Sequence, residues 1–144
     1  MTEILIRYVH FLGIIVFASL LVTEHVLVKD RLSREDLKRI LIIDAAYGIS
    51  ALVVLAAGLA LWLWVGKAAT YYTANPVFHA KLGLFVLTGL LSIHPTRFYL
   101  KHRKSQESFI QVPASVVHCI RLETLFLVLI PLLAVFMARG YGLG

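Results

Sequence analysis

Charge and cysteine are what this chain has least of. Of 144 residues only 15% are charged and 60% are hydrophobic, where a soluble domain carries about 25% charged residues. With a mean hydropathy of +0.85, an ordinary water-soluble globule is excluded, and the length leaves no room for two ordinary domains. Cys119 is the one cysteine, so one chain can form no intrachain disulfide, Cys-based zinc site or iron–sulfur cluster. Also missing are a phosphate-cradling glycine loop, a nucleophile elbow and a zinc-protease motif, so nothing supports a soluble nuclease, kinase or hydrolase. There is no low-complexity tract, and no repeat beyond an alternation of apolar runs.

What is present is four apolar stretches, near 4–28, 38–66, 77–100 and 114–138. Each is long enough for a hydrocarbon core of about 30 Å, which takes roughly 20 helical residues. A cleaved signal peptide is the competing reading of the first, but its apolar run continues to Val28 with no A-x-A site after it. Ser33 and Asp36 have capping-box spacing, which starts the second helix before its apolar run. Asn75-Pro76 reads as an N-cap followed by a first-turn proline, and Pro113 opens the fourth helix likewise. Pro131 should kink that helix, because it leaves the Leu127 carbonyl without its usual partner. The expected fold is all-α: one transmembrane antiparallel four-helix bundle over 1–144.

The formal charge is +6 and the pI about 9.7. The basic residues flank the apolar runs, which points to orientation in an anionic inner membrane rather than to nucleic acid. Nine lysines and arginines fall in the first and third loops: Lys29, Arg31, Arg34, Lys38, Arg39, Arg97, Lys101, Arg103 and Lys104. Only Arg7, Lys67 and Arg139 lie in or near the termini and second loop. That asymmetry predicts both termini and the Trp62/Trp64/Tyr71/Tyr72 belt outside, with the basic loops in the cytoplasm.

Ten polar residues stand at membrane depth: His10, Glu24, His25, Asp44, His79, Lys81, His94, His118, Arg121 and Glu123. A charge there costs at least about 2.5–3.5 kcal/mol, so each is a functional hypothesis, snorkelling near the ends aside. His10 and His25 are 15 residues apart, as are His79 and His94, and each pair spans roughly 22 Å along its helix. Two parallel spans with matched pairs could present one histidine each at two levels, as membrane b-type cytochromes hold two haems. Gly13 and Gly83 would leave room for a macrocycle, or serve close helix packing. Against this, Pro95 should push His94 away from helical geometry.

Lys81 lies about 200° around the helix from His79, so two inward faces compete on the third span. One runs Lys81, Phe85, Thr88 and Ser92; the other runs His79, Gly83, Leu90 and His94. The second span carries a small-residue face of Asp44, Gly48, Ala51 and Gly58 beside Tyr47. Arg121 and His118 are the expected cationic partners of Asp44, as a register-fixing ion pair, an anchor for an anionic group such as a propionate, or a proton relay.

Tyr8-Val-His10-Phe-Leu-Gly13-Ile-Ile-Val-Phe17 resembles the first span of the membrane-bound, haem-containing bacterial protoporphyrinogen oxidases (the HemJ type). Phe78-His79-Ala-Lys81-Leu-Gly83, running on to His94, resembles their His-x-Lys span. The likeness covers the first and third spans; the second and fourth match by hydropathy alone. The whole chain is similar to a small bacterial family of four-span membrane proteins with no assigned activity. The resemblance implies His10 as a haem ligand, Lys81 as a functional, catalytic residue near a tetrapyrrole, and His79 more weakly. The chain departs from the oxidases in its shorter length and in carrying Glu24-His25 where their first helix ends rich in arginine.

The leading expectation is therefore a multi-pass inner-membrane protein binding one or two haem b groups. Its metal ligands would be drawn from His10, His79, His25 and His94, with Gly13, Gly83 and Arg121 lining the cofactor. Such a protein would be redox-active in electron transfer, or as an oxidoreductase acting on a tetrapyrrole or quinone. The alternatives are a non-redox accessory or scaffold protein, and a proton-coupled transporter using Asp44, Glu24, Arg121 and His118. The last would require a homo-oligomer, because four short helices make a thin wall.

Overall fold

A computed structural model describes residues 1–143. Four long helices dominate it: α1 (Thr2–Leu27), α2 (Arg34–Ala60), α4 (Pro76–His102) and α5 (Ala114–Ala138). A short helix α3 (Ala69–Thr73) and two three-residue strands, β1 (Arg31–Ser33) and β2 (Phe109–Gln111), fill the loops. All four long helices are long and apolar enough to cross a membrane. Their outward faces are apolar, with Ile15, Val26, Ile42, Leu52, Leu90 and Val128 exposed. Apolar side chains turned out on every long helix suit a lipid surround.

Local chemistry fixes the ends. The Ser33 hydroxyl accepts a hydrogen bond from the Asp36 amide at 3.1 Å, so α2 begins four residues before its apolar run. The Asn75 Oδ1 accepts from the Val77 amide at 2.9 Å, with Pro76 in the first turn of α4. At its far end α2 loosens into a π-turn, Leu61–Val65, that stops at Gly66. A Cβ at Gly66 would sit 2.1 Å from the Leu61 carbonyl oxygen, so this close approach needs a glycine. One expectation is corrected here: Pro95 lies inside α4, and His94 stays helical. Pro95 is buried, and packing against neighbouring spans keeps a proline-containing helix continuous.

The chain folds as two hairpins, α1 with α2 and α4 with α5, closed into a four-helix ring by α1 against α5 and α2 against α4. Phe17, Leu21, Ile40, Tyr47, Val54 and Tyr99 are among the buried residues that fill the middle. At the basic end β1 and β2 pair antiparallel, Leu32 opposite Ile110, and both side chains are buried. The sequence carries no signal for this staple between the two basic loops, since strands of three residues show no usable alternation. At the other end, the Asn75 Nδ2 donates to the Tyr141 carbonyl at 3.3 Å and the Tyr71 hydroxyl to the Met137 carbonyl at 3.3 Å. Both termini therefore share that end with the aromatic belt.

Candidate functional site

Between the hairpins, toward the basic end, lie three buried carboxyl groups from three different helices. Glu24 on α1 is 2% exposed, Asp44 on α2 is 7%, and Glu123 on α5 is 1%. They are electrostatic neighbours of one another. Each meets a hydroxyl from the opposite hairpin. The Tyr99 hydroxyl donates to Glu24 Oε1 at 2.8 Å, and the Tyr47 hydroxyl donates to Glu123 Oε2 at 2.9 Å. The Thr96 hydroxyl lies 3.0 and 2.9 Å from the two Asp44 oxygens.

No lysine, arginine or histidine forms a salt bridge with these carboxyl groups among the described residues, where every ion pair is local to α1 or α2. Glu123 Oε1 is buried with no hydrogen-bond partner at all. A buried carboxyl oxygen without a partner is an incomplete site, since the desolvation of such an atom is ordinarily compensated by a donor. Phe17 stacks on the Tyr47 ring at 4.7 Å.

A second polar spot lies in the half of the bundle nearer the termini. His10 is half-buried, and its Nδ1 is 3.1 Å from the Val54 carbonyl on α2. A carbonyl only accepts, so Nδ1 carries the proton and Nε2 is the free nitrogen. The ring is seated against Gly58, where a Cβ would come within 3.1 Å of His10 Cε1. Lys81 on α4 is an electrostatic neighbour of His10 and is itself half-buried, its Nζ 5.5 Å over the Phe78 ring.

Several expectations are corrected by these positions. Arg121 is exposed and does not pair with Asp44, which takes Thr96 instead. Arg121 stands two residues from Glu123, roughly 200° around the helix, so burying one turns the other outward. His118 is also exposed, its Nδ1 bonded to the Ala114 carbonyl at 2.6 Å. The face of α4 that turns inward is Lys81, Phe85, Thr88 and Ser92, and the face of His79, Gly83, Leu90 and His94 turns outward, His79 exposed with its Nε2 on the Thr73 carbonyl at 2.7 Å. His94 bonds the Ser115 hydroxyl at 2.9 Å, and His25 meets Thr124 at 3.2 Å. On α2, Gly48 faces outward, and Asp44, Tyr47, Ser50, Val54 and Ala57 form the buried face.

The fit of the residues to haem follows from the same geometry. His10 has the tautomer and the backbone-anchored ring that suit an axial ligand. His79 is exposed on the outer face of α4 with its Nε2 on the Thr73 carbonyl, and the space beside Gly13 is taken by Val54, whose Cγ2 is 3.0 Å from a Cβ built there. Gly83 has open space around it on the outer face. His10 and His79 are thus not placed to share one haem within the chain. No cluster of three or more His, Cys, Asp or Glu able to hold a bare metal ion occurs among the described residues.

The tyrosines were the missing half of the site. Tyr47 and Tyr99 each place a hydroxyl inside a span, and a phenol at membrane depth calls for an acceptor; that was the available signal. Four apolar helices enclosing a hydrogen-bonded polar centre define an all-α, multi-span membrane protein. The chain belongs to the DUF2214 family of predicted membrane proteins, whose family model matches residues 2–142. No curated protein and no solved structure matches it, and the likeness to the haem-containing oxidases finds no support in these comparisons.

Proposed function

We propose that this protein is a proton-coupled membrane transporter whose proton-binding site is the Glu24–Asp44–Glu123 cluster. The observation that carries the reading is that three buried carboxyl groups from three helices lie between the hairpins with no salt-bridge partner among the described residues. An uncompensated carboxylate is costly in a low-dielectric interior, so the neutralising positive charge comes from solution, and a proton bound to the carboxyl group supplies it. The partnerless oxygen of Glu123 is the atom on which it would be received. Intramembrane acids of this kind mark proton relays and ion pathways in pumps and transporters. On the charge asymmetry of the loops, the protein works in an inner membrane with its basic end in the cytoplasm, and as an oligomer, because four helices make a thin wall around a pathway.

The test is proton flux in proteoliposomes carrying an internal pH dye under an imposed potassium diffusion potential. Wild-type protein is expected to dissipate the gradient, and Glu24→Gln/Asp44→Asn/Glu123→Gln to match protein-free vesicles. Infrared spectra in H2O and D2O should show a protonated carboxyl band in the wild type that the triple variant lacks. Equal flux in both proteins, or no such band at any pH, overturns the reading.

A second reading is favoured by one observation, the fixed tautomer of His10. In it the free Nε2 binds a haem b iron from one side, with Lys81 close to the tetrapyrrole, and the haem exchanges electrons with a quinone or another tetrapyrrole. Protein made with ample haem should then show a Soret band that His10→Ala abolishes. No Soret band at any redox poise removes this reading.

A further inference from the structure

The last three turns of α4 border a groove of about 870 Å³ at the basic end of the molecule. Its lining changes character along its length. Leu90 and Ile93 form the deep part, with His94 beside them bonded to the Ser115 hydroxyl, Phe98 lies further along, and Arg97, Lys101 and His102 stand at the end nearest the loops. These residues recur at the spacing of one helix face, so the groove runs along the helix, about 16 Å from Leu90 to Lys101. One end is apolar at membrane depth and the other is cationic where the helix leaves the apolar run.

The cations at that end are free. Arg97 and Lys101 are exposed and form no salt bridge among the described residues. No carboxylate lines the groove. His102 uses only Nδ1, on the Phe98 carbonyl at 2.9 Å, which leaves its other nitrogen unengaged. A smaller cavity of about 280 Å³ shares His102 and adds Arg34, Lys38, Arg103 and Lys104, so the positive charge continues beyond the groove. A free phosphate would satisfy the cations and leave the apolar part empty. A neutral lipid would fill the apolar part and leave the cations without a counter-charge.

We infer that this groove binds an anionic phospholipid, with its phosphate between Arg97 and Lys101 and an acyl chain along Leu90 and Ile93. The charge match and the amphipathic lining argue for that one occupant. The site is separate from the carboxyl cluster and does not depend on how that cluster is read.

The experiment measures lipid retained per protein after extensive detergent washing, for protein incubated with phosphatidylglycerol or phosphatidylcholine vesicles. Phosphatidylglycerol should be retained and phosphatidylcholine washed away. Arg97→Gln/Lys101→Gln should weaken retention about thirtyfold, on a contribution of about 1 kcal/mol per cation at a membrane surface. The charge-matched pair Lys29→Gln/Arg31→Gln, outside the groove, should weaken it far less. Three results would overturn the inference: equal retention of the two lipids, displacement of the lipid by an equal concentration of inorganic phosphate, or equal loss in the control pair.

Discussion

At the scale of single residues, the polar centre is held by hydroxyl groups, and this makes its energetics asymmetric. Glu123 has one partner, the Tyr47 hydroxyl, and already carries one unbonded oxygen. Tyr47→Phe would leave the whole carboxyl group without a donor, at a cost of about 1–3 kcal/mol. Removing the acid as well, in Tyr47→Phe/Glu123→Leu, takes away the group that needed a partner. The double variant is therefore expected to be more stable than Tyr47→Phe alone, by unfolding in mixed micelles. A double variant that is the weaker of the two would mean that Glu123 is satisfied by something other than Tyr47. The acids themselves were legible in the sequence because charge at membrane depth is rare. Their partners were not. Arg121 shares a level with Asp44 but not an azimuth, and only the packing of α5 decides which of Arg121 and Glu123 faces in. Likewise the choice between His79 and Lys81 hung on a rotation of α4 that hydrophobicity left open.

At the scale of elements, the spans and their caps were readable for physical reasons that act locally. Ser33 and Asn75 cap because their side-chain oxygens reach amides two or three residues ahead, a geometry set by the backbone alone. The β1–β2 staple was not readable, since it joins residues about eighty positions apart through three-residue strands. It nevertheless buries Leu32 completely and Ile110 to 1% exposure. Leu32→Ala should cost about 2–5 kcal/mol if the site cannot collapse. The consequence specific to a staple is that both basic loops loosen together. Limited proteolysis of Leu32→Ala should therefore cut in 103–112 as well as in 28–33, with the helices intact. Cleavage confined to the first loop would show that the strand pairing does not hold the second.

At the scale of the molecule, the three bonds of the carboxyl cluster share one property: each crosses from the α1/α2 hairpin to the α4/α5 hairpin. Glu24 to Tyr99, Asp44 to Thr96 and Glu123 to Tyr47 all span the seam, whereas the His10 bond to Val54 stays inside one hairpin. Packing across the seam is also much sparser than packing within either hairpin. Beside the β1–β2 pairing and the His25–Thr124 contact, which also cross the seam, the polar cluster is the buried directional link between the two hairpins, and a change of charge on it would be felt as a change in their separation. This is the mechanical element that proton coupling requires, since a ligand shifts a conformational equilibrium only through contacts that differ between the states. Spin labels can read it, in a Cys119→Ser background. One pair at Ile42 and Leu100, both exposed, reports across the seam, and a pair at Val26 and Ile42 reports within the first hairpin. Tyr47→Phe/Thr96→Val/Tyr99→Phe should lengthen or broaden the first distance and leave the second unchanged. If both distances shift together, the bundle is responding as one packed unit and the seam is no hinge. If neither shifts, apolar packing alone sets the separation, and the cluster has no lever on the shape of the protein.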